Sequence, residues 1–60
     1  MPWSMLFCIA IRPRVWLVCF EDPLTHKYVR VDGGPYLGYK ECFDQMATLR
    51  GQVVDGIELK

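Results

Sequence analysis

Sixty residues, 52% of them hydrophobic, with seven lysines and arginines balanced by seven aspartates and glutamates, describe one small globular domain of zero formal net charge. That apolar content excludes disorder for want of hydrophobicity, and the charge balance excludes a global field that would draw the chain to nucleic acid or an acidic membrane. A core drawn from so short a chain rarely supplies more than roughly 3–5 kcal/mol unless a disulfide, a metal or a second copy reinforces it.

Met5 to Ile11 is a short apolar run with Phe7 and two isoleucines, which suits a strand. The segment from Met1 to Ile11 lacks the positively charged leader of a signal peptide. Neither it nor the next run, Val15 to Phe20, approaches the roughly 18 apolar residues a spanning helix needs. The expectation is a soluble, intracellular, cytoplasmic chain with no membrane partner. Arg12-Pro13-Arg14 separates the two runs, and Val15 to Phe20 reads as a second strand closing an antiparallel hairpin. Glu21 to His26 is a turn built around Asp22-Pro23, and Lys27 to Val31 alternates polar and apolar as a third strand. Asp32-Gly33-Gly34-Pro35 ends it.

A helix follows. Tyr39, Cys42, Phe43, Met46 and Leu49 make one stripe of helical period, with Lys40, Glu41, Asp44, Gln45 and Thr48 opposite. Gly38 stands at the N-cap, and Arg50 and Gly51 form the stop. Asp55-Gly56 then turns the chain, and Ile57 to Lys60 alternates as a candidate short fourth strand. The fold class is α+β: a three-stranded antiparallel meander with one C-terminal helix packed on one face, residues 1–60 forming a single domain.

One helix roofs one face of a sheet, so the other face should be polar. The third strand obeys, with Val29 and Val31 on one side and Tyr28, Arg30 and Asp32 on the other. The first two strands do not. Leu6, Cys8 and Ala10 oppose Met5, Phe7, Ile9 and Ile11, while Trp16, Val18 and Phe20 oppose Val15, Leu17 and Cys19. Both faces are apolar, and one of them must remain after the helix is placed. Met1-Pro2-Trp3 and Val53-Val54 are the segments able to close it.

Three cysteines, Cys8, Cys19 and Cys42, are too few and too odd for a secreted disulfide framework. A hairpin turning at residues 12–15 would set Cys8 opposite Cys19, a geometry that permits a cross-strand bridge, but reduced thiols are expected in a reducing compartment. Together with His26 the thiols lack zinc spacing, so neither a metal nor a cofactor is expected. Cys42 with His26 is a conceivable nucleophile–base pair, but a thiol in the apolar stripe is desolvated and inert, and no catalytic residue is assigned. The glycines of Asp32-Gly33-Gly34-Pro35 match no phosphate-binding spacing.

The strand–strand–strand–helix order resembles, at the level of fold, the sheet-based DNA readers of plant AP2 domains and integrase arm-binding domains. Their exposed sheet face is polar and basic, whereas here it carries large apolar side chains. Nucleic-acid binding through Arg12, Arg14, Lys27 and Arg30 is therefore the alternative reading. The first reading is an intracellular protein-interaction module, of the size of a phage or mobile-element inhibitor of a host protein complex. It would contact a protein partner or a second copy through Phe7, Ile9, Arg12, Arg14, Trp16, Tyr28 and Arg30.

Overall fold

The computed structural model describes every residue except Asp32. The elements in chain order are β1 (Trp3–Ser4), β2 (Phe7–Arg12), β3 (Val15–Glu21), β4 (Tyr28–Arg30), α1 (Tyr39–Leu49), β5 (Val53–Val54) and β6 (Ile57–Leu59). They build two three-stranded sheets, ordered β2–β3–β4 and β1–β6–β5. The first is the expected antiparallel meander with α1 packed on one face, and the fold is α+β.

The meander follows from its turns. Pro13 and Arg14 connect Arg12 to Val15, which face each other in register. Proline fixes φ near −65°, and Arg14 follows at φ 64°, the left-handed position of a type II turn. The register slips by one residue between Ala10 and Arg12, so Ile11 is the extra residue of a bulge. That slip carries the strand one residue past the apolar run and turns Arg12 toward the side of Val15. In the next turn Asp22 Oδ1 accepts from the N–H groups of Leu24 and Thr25 at 2.8 and 3.3 Å. The Asp22 backbone meanwhile bonds Lys27 and His26. Beyond β4 the same side of β3 stays occupied. Val31 donates its N–H to the Val18 carbonyl, and Tyr36 and Trp16 exchange both backbone bonds, all at 2.8 Å.

Helix α1 begins after Gly38, which has extended backbone and no side-chain cap bond, with Glu41 in its first turn. It ends at Arg50, and Gly51 follows at φ 87°. Its stripe is only partly core. Cys42 and Met46 are buried and Leu49 half-buried, whereas Tyr39 and Phe43 are 51% and 46% exposed. At about 100° per residue, Cys42, Met46 and Leu49 cluster within about 60°, while Phe43 lies about 100° from Cys42.

The chain ends do not roof the second face of the meander. They pair with each other: β1 runs parallel to β6, with Trp3 opposite Glu58 and Ser4 opposite Leu59. The fourth strand read from sequence is thus β6, and it belongs to this second sheet. It is joined to β5 through Asp55 and Gly56, both at positive φ, 50° and 80°. That is the left-handed pair of a type I′ hairpin turn. Ile57 and Leu59 enter the core with Leu6, Val18, Phe20, Val31, Cys42 and Met46. Two further bonds tie the sheets together. The Leu6 N–H donates to the Lys60 carbonyl at 2.8 Å, and Ser4 Oγ donates to the Glu21 carbonyl at 2.7 Å. Among the described residues, no helix is long and apolar enough to cross a membrane.

Candidate interaction surface

Directly opposed residues of an antiparallel pair share a face, so register sorts the meander into two sets. Cys8 with Val18, Ala10 with Trp16, and Phe20 with Val29 form the side under α1. Phe7 with Cys19, Ile9 with Leu17, Arg12 with Val15, Arg30 with Cys19, and Tyr28 with Glu21 form the other. Of the second set only Cys19 is buried, and none of the set joins the hydrophobic cluster under α1.

That second face shields itself only in part. The Phe7 and Tyr28 rings meet edge to face, with centroids 5.0 Å apart. Cys19 is buried among its neighbours, while Phe7, Ile9 and Leu17 are half-buried. Met5, Ile11 and Tyr28 are 60% exposed or more. At the end away from the Pro13–Arg14 turn, Met5, Phe7 and Tyr28 line an open concavity with Glu21 and His26. His26 Nδ1 lies 2.8 Å from Glu21 Oε2 at its rim, an exposed pair that adds little stability. Charges of both signs are spread along the face. Arg12 stands at the turn end, Arg30 beside Cys19, and Glu21, paired with His26, at the other end.

Of the seven residues singled out from sequence, Phe7, Ile9, Arg12, Tyr28 and Arg30 share this face by register. Arg14 occupies the exposed turn. Trp16 lies on the opposite side, half-buried, with its ring edge to face against Tyr39 at 5.5 Å. Tyr39 in turn stacks at a tilt on Phe43 at 5.7 Å, so an aromatic row runs along the rim of the helix side. The sequence stripe placed Tyr39 and Phe43 in the core; their angular offset from Cys42 was the signal that they belong at its edge.

The cysteines are free. Cys8 faces Val18 and Cys19 faces Phe7, so the two thiols project to opposite sides of the hairpin, and the cross-strand alignment that a turn at residues 12–15 would have given does not occur. Cys42 is fully buried, and burial, reinforced by the neighbouring Cys8 thiol, pushes its thiol up to about 12. Burial also raises the Cys19 thiol, against the opposing pull of the Arg30 guanidinium. His26 sits in the exposed β3–β4 turn, paired with Glu21, apart from the sealed Cys42. Gly33 has φ 114°, and a Cβ there would stand 2.5 Å from the Tyr36 hydroxyl, so the stretch makes room for a tyrosine. Asp32, expected on the Tyr28 and Arg30 side, lies outside the described residues. Comparison with family models, curated proteins and solved structures finds no match to this chain.

Proposed function

We propose that this chain is a small, non-catalytic protein-interaction module that works inside the cell, as an inhibitor or adaptor, by docking a protein on the open face of its meander. The observation that carries the reading is that Phe7, Ile9 and Leu17 are large and apolar yet stand outside the core. Apolar surface held out of the core is stabilised when a partner covers it, by about 25 cal/mol per Å² before association costs. The concavity at Phe7 and Tyr28 offers a place for a partner side chain, and Arg12 and Arg30 give the face a polar margin.

The test is capture from a lysate on the immobilised chain. A partner protein should be held through a high-salt wash by the wild type and by Arg14→Ala, and released by Phe7→Glu. Capture that ignores Phe7→Glu rejects the reading. So does a nucleic-acid gel shift that depends on Arg12 and Arg14 and collapses steeply with salt, because phosphate contacts weaken with counterion concentration while apolar contacts do not.

A further inference from the structure

Three sulfurs from two elements meet beneath α1. Cys42 and Met46 lie one turn apart on the helix, and both are buried. Residues at that spacing stand on one face, about 5–6 Å apart at Cβ. Cys8 reaches them from β2, its Sγ 3.3 Å from the Met46 Sδ. The same thiol is a neighbour of Cys42 and helps hold the proton there. Cys8 packs against the cluster that contains Cys42 and Met46, whereas Cys19 stands on the other side of the hairpin.

As packing, these groups are interchangeable with other small apolar side chains. As ligands they are not. Two thiols and a thioether are soft donors, and such a set selects monovalent copper. Zinc is bound by thiolate, imidazole and carboxylate, usually four at a time, and a thioether is not among its ligands. The thioether is what completes this cluster: among the described residues, no three His, Cys, Asp or Glu side chains gather to hold a metal. Copper(I) has a filled d shell, imposes no geometry of its own and is satisfied by two or three sulfurs.

Metal–sulfur bonds of about 2.3 Å on a three-coordinate ion set its sulfurs about 4 Å apart. The Cys8–Met46 pair, at 3.3 Å, opens to that spacing by a shift of about 0.7 Å, which the rotatable bonds of methionine absorb. β2 is an edge strand and Cys8 is half-buried on it, so the cluster has a way in from solvent. Uptake replaces the two thiol protons, which leave to solvent, and copper keeps its oxidation state throughout. Two thiolates and one monovalent ion leave a single negative charge, which the half-buried Cys8 keeps in reach of water.

We propose that Cys8, Cys42 and Met46 form a three-sulfur site for copper(I), binding one ion per chain between β2 and α1. The site lies on the helix side of the meander, away from the open face, so either can fail without the other.

The test is anaerobic titration of the reduced full chain with copper(I) supplied as its bathocuproine disulfonate complex. The wild type should take one copper per chain from the chelator, and X-ray absorption should find sulfur neighbours alone. Cys19→Ser should bind as tightly. Met46→Leu conserves volume, so it should keep the wild-type circular dichroism and weaken copper at least about tenfold. Cys8→Ser, at a half-buried position, should weaken it at least as much. A wild type that takes no copper from the chelator overturns the site, as does one that holds it through nitrogen or oxygen or shares one ion between two chains. A folded Met46→Leu that binds like wild type, or a Cys19→Ser that loses the ion, overturns it too, because the thiols would then be capturing copper adventitiously.

Discussion

The thiol of Cys8 donates to the thioether of Met46 at 3.3 Å, sulfur against sulfur beneath α1. Cys42, one turn earlier on the helix, is fully buried near the same Cys8 thiol. Three soft, polarisable groups thus bind the helix to the edge strand, where they fill space as small hydrophobes and bridge β2 to α1.

This cluster makes stability fall in alkaline solution. The Cys42 thiol is raised to about 12 by burial first and by Cys8 second, from an ordinary value of 9.0. Below the ordinary value both folded and unfolded chains keep the proton. Between it and the raised value only the unfolded chain releases it, so unfolding gains and stability declines as pH rises. Urea midpoints should be flat from about pH 6 to 8 and drop by about pH 10. Cys42→Ala, though less stable at neutral pH, should show a shallower alkaline decline.

Leu59→Ala should unfold most of the population at room temperature. Leu59 is fully buried, and its backbone is in register with Ser4, so it joins the second sheet to the core under α1. Truncating such a leucine costs about 2–5 kcal/mol. That is comparable to the roughly 3–5 kcal/mol a core of this size provides. Val53→Ala, at an exposed site of the same sheet, should stay within about 0.5 kcal/mol of wild type by the same denaturation measurement.

The meander and helix were legible because each carries its own local signal: Pro13 and Asp22 at the turns, period-two alternation through Val29, and Gly51 after α1. The second sheet was not. β1 is two residues long and pairs with β6 across nearly the whole chain, and no local pattern marks a parallel pairing at that separation. The face assignments of Phe7 and Trp16 followed from alternation, but which of them α1 would cover did not, since both strands are apolar on both sides. Arg12 joined the Phe7 side only because Ile11 bulges, and a bulge of this kind leaves no trace in an apolar run.

Gly56→Ala should destabilise the chain by about 1–2 kcal/mol, although a Cβ there would meet nothing within 4 Å. The cost is conformational. Gly56 sits at φ 80° after Asp55 at φ 50°, and a side chain disfavours that left-handed position. Thermal melts of Gly56→Ala and Asp55→Gly should move in opposite directions if the turn is as described, the second because it relieves the one non-glycine residue in the pair.

Phe7→Ala should be mild in dilute solution, about 1–1.5 kcal/mol, far less than Leu59→Ala despite the larger side chain removed. Phe7 is half-buried and outside the core, so little dry surface is lost, and its main intramolecular partner is the exposed Tyr28 ring at 5.0 Å. An edge-to-face pair contributes about 0.5–1.5 kcal/mol beyond area. A double-mutant cycle of Phe7→Ala with Tyr28→Ala, read by urea denaturation, should return a coupling in that range. A Phe7→Ala variant that unfolds like Leu59→Ala would mean the ring is part of the fold's own core, and the open face would then lose the ring that lines its concavity.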